Sequence, residues 1–99
     1  MYRVEIVPAA LEELAQLPSF HGRPILEAIE KHLLHRPATP NRRRKRLPGV
    51  VPPFETDPPI WELRVGEYRV FYDVTERERK VRVRAIGRKP PHRMTVEIL

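Results

Sequence analysis

Cysteine is absent from the 99 residues, which excludes disulfides, a thiolate nucleophile and any cysteine metal cage. Long apolar runs are missing as well, so no segment approaches the ~20 residues that a helix needs to cross a bilayer. Glu5 and Pro8 interrupt what would be the apolar stretch of a signal peptide, and a cytoplasmic location is expected. HExxH, CxxC, phosphate-loop and GxSxG patterns do not occur, which removes the commonest metal, redox, nucleotide and serine-hydrolase chemistries. His21, His32, His35 and His92 lack metal-ligand spacing with carboxylate support. His32 and His35, three apart on a predicted helix, are explained equally well as a solvated helix end. No metal and no cofactor is expected.

What the chain has in excess is positive charge, and its position matters more than its total of +6. Residues 1–35 carry three basic side chains (Arg3, Arg23, Lys31) against five acidic ones (Glu5, Glu12, Glu13, Glu27, Glu30). Residues 36–99 hold the other sixteen basic and eight acidic groups, a balance of +8. Such asymmetry points to a polyanion that meets the second two-thirds of the chain. An acidic protein satisfies the same field, but small basic domains commonly bind phosphate backbones, which favours nucleic acid.

The length allows one domain over residues 1–99 with a modest core. Tyr2, Val4 and Ile6 alternate with Arg3 and Glu5, the period of a half-buried strand, and Pro8 ends it. Leu11, Leu14, Ala15 and Leu17 then follow at helical spacing. A second helix is predicted from near Arg23 or Pro24, with Ile25, Leu26, Ile29 and Leu33 on one face and an end before Pro37. Residues 36–59 hold seven prolines and are expected to be a loop. Three strands are predicted after it: Ile60–Val65, Tyr68–Val74 across a Gly66-Glu67 hairpin turn, and Lys80–Ile86. Met94–Leu99 is a last strand or a tail that awaits a partner. The order β-α-α-β-β-β describes an α+β domain with a two-helix antiparallel hairpin covering one face of a mostly antiparallel sheet.

Strand periodicity shapes the basic groups. With Val81, Val83 and Ala85 facing the helices, Arg82 and Arg84 project from the opposite face, and Arg64 does the same beside Leu63 and Val65. That open face is expected to be basic, with Arg69, Arg88, Lys89 and Arg93 adding to it. A solvated sheet salt-bridged by Glu62, Glu67 and Glu97 accounts for the pattern about equally well. The run Arg42, Arg43, Arg44, Lys45 and Arg46 is either an anchor on RNA phosphates, the favoured reading, or a solvated loop or protein interface. His92 is a candidate general base or acid, since its side-chain type titrates nearest neutrality. Glu62 is a weaker candidate base, better suited as an ion-pair partner for Arg64 or Arg69. Tyr68 and Tyr72 share a face and are expected in the core.

The opening YRVEIVPAALEELAQLP, the block WELRVGEYRVFYDV (Trp61 to Val74) and the strand VRVRAIGRK (Val81 to Lys89) resemble the RelE/ParE toxin superfamily over nearly the whole chain. The resemblance implies a RelE-like fold and the toxic half of a toxin–antitoxin pair, held silent by a cognate antitoxin. RelE-like members cleave mRNA on the ribosome without a metal, whereas ParE-like members poison DNA gyrase. It assigns phosphate binding to Arg69, and catalytic or charge-stabilising positions to Arg64, Arg88 and Lys89, with His92 as the added proton-transfer candidate. Arg42, Arg43, Arg44, Lys45, Arg46, Arg82, Arg84 and Arg93 are then candidate contacts to mRNA or ribosomal RNA. The chain departs from RelE-like members in two places. The usual C-terminal tyrosine is replaced by MTVEIL, and the lysines expected near Ile60 and Glu62 are absent. An inactive relative that only binds its antitoxin therefore stands beside the nuclease and the gyrase inhibitor as a third reading.

Overall fold

In the computed structural model, which describes all 99 residues apart from the side chain of Val96, the N-terminal alternation yields strand β1, Arg3–Ile6. Pro8 supplies no donor but its fixed φ suits a first helical position, and helix α1 runs Pro8–Ala15. Helix α2 runs Ser19–Leu33, starting four residues before Arg23. Pro18 stands at its cap, where its carbonyl accepts the N–H groups of His21 and Gly22. Pro24 lies inside the helix, near enough to its start that only the Phe20 carbonyl loses a partner. The apolar stripe is narrower than predicted. Ala10, Leu14, Ile25, Ile29 and Leu33 are buried, while Leu11 and Leu26 remain exposed, because a residue one step along a helix sits ~100° round its axis.

Strands β2 (Arg44–Leu47), β3 (Ile60–Val65), β4 (Tyr68–Thr75) and β5 (Lys80–Arg88) join β1 in one sheet of order β1-β5-β4-β3-β2. Only the β1–β5 pairing is parallel. Gly66 turns the β3–β4 hairpin at φ 57, a left-handed value that glycine adopts without strain. The predicted fold is observed with one strand more than expected. β2 corrects the expectation of an uninterrupted loop over 36–59, because RKRL contains no proline and needs only β3 as a partner. As an edge strand it displays the exposed charges of Lys45 and Arg46. Asn41 closes part of its outer edge: its side-chain Oδ1 accepts the Arg43 and Arg44 N–H groups, and its own N–H donates to the Arg44 carbonyl.

Between sheet and helices lies the main core, where Trp61, Leu63, Val70, Tyr72, Val81, Val83 and Ile86 meet the two helices. Tyr72 is fully buried and its hydroxyl donates to the Pro37 carbonyl at 2.6 Å, tying the segment after α2 to the sheet. Burial pushes this phenol far above its ordinary range, against a smaller opposing effect of Arg44, so it serves as a donor at all working pH values. Tyr72→Phe is expected to cost about 1–2 kcal/mol by orphaning a buried carbonyl, which urea unfolding would measure.

A bulge in β5 alters the other face. Phe71 opposes Ala85 and Tyr72 opposes Val83, which leaves Arg84 as the extra residue. Ala85 therefore turns away from the helices and Ile86 takes the place predicted for it. The face opposite the helices is not open along its length. Leu47, Ile60 and Phe71 form a second buried cluster, covered by Val50 and Phe54 of the β2–β3 connection and by Ile98 and Leu99. The C-terminal segment is neither strand nor free tail: Thr95–Glu97 is a 3-10 turn that delivers those last two side chains to the cluster. No helix is long and apolar enough to cross a membrane.

Candidate nucleic-acid interface

Register assembles the basic groups that remain uncovered. Arg64 pairs with Arg69 across the hairpin, and the Arg64 N–H donates to the Arg43 carbonyl at 2.8 Å on the other side. Three arginines thus lie in one row, Arg43 just before β2, Arg64 on β3 and Arg69 on β4, on the face away from the helices. Like charges directly opposite one another destabilise a sheet, and of the three only Arg69 has a carboxylate partner among the described residues, Glu62. The next row brings Lys45 opposite Glu62, and Lys89 enters just after β5, its N–H donating to the Glu67 carbonyl. Together these residues line a cleft of about 220 Å³, formed by Arg42, Arg43, Lys45, Glu62, Arg64, Arg69, Lys89 and Thr95. Six cations and one carboxylate make its field strongly attractive to a phosphate.

Arg69 and Glu62 form the floor. Their side chains are each 8% exposed, with Arg69 Nε 3.1 Å from Glu62 Oε1. Arg69 Nη1 donates to the Gly66 and Tyr68 carbonyls, both at 2.9 Å. Burial lowers the Arg69 pKa, as does the neighbouring charge of Arg64, and Glu62 opposes the change. The Thr95 hydroxyl donates to the same Glu62 oxygen at 2.7 Å. Arg69 is thus committed through two of its three nitrogens, and the exposed heads of Arg42, Arg43 and Arg64 meet a ligand first. Thr95 is the site residue that sequence reasoning missed; nothing in MTVEIL signals that its hydroxyl reaches β3.

The remaining candidates lie elsewhere. Arg44 is buried on the other side of β2, donating through Nε to the Thr39 carbonyl and through Nη1 to the His32 carbonyl, where it satisfies the C-terminal end of α2. Its place is structural, whereas Arg42 and Arg43 are exposed. Arg46, also exposed, follows the opposite parity from Lys45 and does not line the cleft. Arg84 pairs with the fully buried Asp73 at 2.7 Å, and the same Asp73 oxygen accepts from Thr56 and the Asp57 N–H. Arg82 pairs with Glu78 and Arg88 with Glu67, both longer contacts. Arg93 pairs with Glu97 and, with Lys45, Lys89 and Met94, borders a neighbouring hollow. His92 occupies an exposed turn at φ 68 and is not among the residues lining the cleft. His35 lies beyond the end of α2, so it does not share that helix with His32.

His32 is perturbed for structural reasons. Partial burial lowers its pKa, and Arg43, Arg44 and Lys31 add to the effect. The unfolded chain therefore takes up this proton first, and stability is lost as pH falls through the ordinary value of 6.5. His32→Gln should flatten the decline of melting temperature between pH 7 and pH 5, modestly because the ring stays partly solvated.

The family described as the ParE toxin of the type II toxin–antitoxin system parDE matches residues 4–89. The structure is similar to the archaeal RelE of the RelE–RelB complex from Pyrococcus horikoshii OT3, with 27% identity, a TM-score of 0.63, and coverage of 94% of this chain and 98% of that one. In the RelBE2 toxin–antitoxin complex from Mycobacterium tuberculosis the identity is 22% and the TM-score 0.67, over 89% of this chain and 98% of the other. The isolated E. coli RelE toxin gives 18% identity and a TM-score of 0.61, over 98% and 92% of the two chains. The last two likenesses establish the fold alone. No curated protein matches the chain in sequence.

Proposed function

The chain belongs to the ParE toxin family of type II toxin–antitoxin systems, and from its cationic cleft we propose that it is a ribosome-dependent, metal-independent endoribonuclease that cleaves mRNA during translation in the cytoplasm and so arrests growth. The observation that carries this reading is the row Arg43, Arg64 and Arg69, crowded by Arg42, Lys45 and Lys89 into one cleft. Cleavage of RNA develops charge on a pentacoordinate phosphate, and guanidinium groups that each reach two oxygens stabilise it. Arg64, Arg43 and Arg42 take those oxygens, Lys89 adds charge and a proton source, and Arg69 contributes its charge from the floor. Arg93, bordering the neighbouring hollow with Lys45 and Lys89, extends the contact toward ribosomal RNA, whereas Arg46 faces the other side of β2 and is not assigned to it. His92, at the exposed turn, is not assigned to the chemistry.

A cognate antitoxin is the second partner. The archaeal RelE similar to this chain is bound to RelB, and an acidic antitoxin segment suits the +8 balance of residues 36–99. In a reconstituted translation system the purified protein is expected to cut mRNA only where ribosomes occupy it, and to lose that activity when antitoxin is added. Intact mRNA in a translating mixture would contradict the proposal. One observation favours a second reading, gyrase inhibition: the matching family is the one named for ParE. Inhibition of gyrase supercoiling with mRNA left whole would establish it.

A further inference from the structure

We propose that Glu62 is the group that takes the proton from the attacking 2′-hydroxyl, with Thr95 and Arg69 holding its carboxylate for that task. The inference rests on the nuclease reading above and names a residue for a step which that reading leaves unassigned. Among the eight side chains that line the cleft, Glu62 is the single carboxylate. Arg and Lys are poor proton acceptors because their charged forms have no lone pair to offer. Thr95 is held as a donor, and His92 does not line the cleft.

The carboxylate is held asymmetrically. Oε1 receives both Arg69 Nε at 3.1 Å and the Thr95 hydroxyl at 2.7 Å. Oε2 receives no hydrogen bond among the described residues, yet is not a buried orphan like Asp73 Oδ1. One oxygen is thus clamped while the other stays available to a ligand in the cleft. A carboxylate placed only to neutralise Arg69 has no need of a second donor delivered from the C-terminal 3-10 turn. The groups that face it are all cationic or neutral: Lys45 on β2, Arg64 on β3, Arg69 on β4, Lys89 after β5, Arg42 and Arg43 before β2, and Thr95.

The step balances with these residues alone. Oε2 accepts the 2′-hydroxyl proton as the 2′ oxygen bonds to phosphorus. The bond from phosphorus to the 5′ oxygen breaks, and that oxygen takes a proton from the Lys89 ammonium. The products are a 2′,3′-cyclic phosphate and a free 5′-hydroxyl. Glu62 then returns its proton to solvent and Lys89 regains one. Because Thr95 belongs to the segment that also seats Ile98 and Leu99 on the second core, the fold of the chain end sets the geometry of the base.

The test is single-turnover cleavage of an mRNA codon on programmed ribosomes, across pH, for wild type, Glu62→Gln and Thr95→Val. Glutamine keeps the size and can still accept from Thr95, so Arg69 stays placed. The expected result is a rate at least about 100-fold lower in Glu62→Gln, with loss of the acid limb of the wild-type pH profile. Thr95→Val should keep the limb at a reduced rate. An acid limb retained in Glu62→Gln, whatever the rate, would overturn the inference and leave Glu62 as a positioning residue for Arg69. If Glu62→Gln does not fold, as its melting curve would reveal, Glu62→Asp serves: retention of the limb at reduced rate supports the inference, and an unchanged rate refutes it. Absence of cleavage by wild type would instead remove the nuclease reading, and this inference with it.

Discussion

Replacing Arg69 with alanine should lower stability by about 3–5 kcal/mol, because it leaves the Glu62 carboxylate buried without its charge partner. The two side chains are equally and deeply buried, so solvent offers little compensation. Alanine would also orphan the Gly66 and Tyr68 carbonyls that Arg69 Nη1 now satisfies. In a chain of this size a loss of that order lowers the melting temperature by roughly 15–30 °C. Thermal melts of Arg69→Ala and of the double variant Arg69→Met/Glu62→Gln test the cause. The double variant should recover much of the loss, since removing both charges abolishes the unpaired one. Equal destabilisation in both would show that packing, not charge, is at stake. Loss of growth inhibition in Arg69→Ala is then a folding effect first. Arg64→Ala is the better probe of the surface, because Arg64 is exposed and forms no ion pair among the described residues.

Neutralising Arg42, Arg43 and Arg64 together should weaken binding to single-stranded RNA by about fifty-fold at 0.15 M salt and reduce the salt slope of log K by about 2, since each contact to a single strand releases ~0.7 counterion. Stability should change little, and removal of the facing arginine charges even offers a small gain. Filter binding from 50 mM to 300 mM salt measures both quantities. The same change at Arg82, Arg84 and Arg88 should leave the slope nearly intact, because those side chains already face Glu78, Asp73 and Glu67. A slope that falls equally in both triples would mean that phosphate contacts spread over the whole basic surface.

Most of the fold was legible because alternation and helical spacing are local signals. β1, β3, β4, the hairpin at Gly66 and the two helices all follow from them. β2 was hidden, since four residues with three charges among prolines carry no apolar alternation, and its pairing depends on β3. The bulge at Arg84 was also invisible, as VRVRAI alternates without interruption. Its consequence is that Ala85, not Ile86, joins the second cluster.

The site was legible in its ingredients and not in its partners. Arg64 and Arg69 stand opposite each other as soon as a two-residue turn at Gly66-Glu67 is accepted, and the same register makes Glu62 the diagonal neighbour of Arg69. Arg42, Arg43 and Lys89 stand out in the sequence only as basic residues, and the structure brings them to one cleft. Arg44 could not be separated from its neighbours in the run, because only the three-dimensional path of β2 turns it toward the His32 carbonyl. Arg82 and Arg84 have the right parity for the basic face, but carboxylates four and eleven residues away claim them. Thr95 depends on a contact 33 residues away in the chain, and the covering of the face by Ile98 and Leu99 on packing against Leu47, Ile60 and Phe71.

Whether this cationic cleft acts on mRNA in translation is tested most directly by primer extension on cellular transcripts after induced expression. New 5′ ends are expected that fall within translated frames, vanish when initiation is blocked, and are lost in Arg64→Ala at unchanged protein level. Unbroken transcripts accompanied by DNA-damage signalling would contradict it.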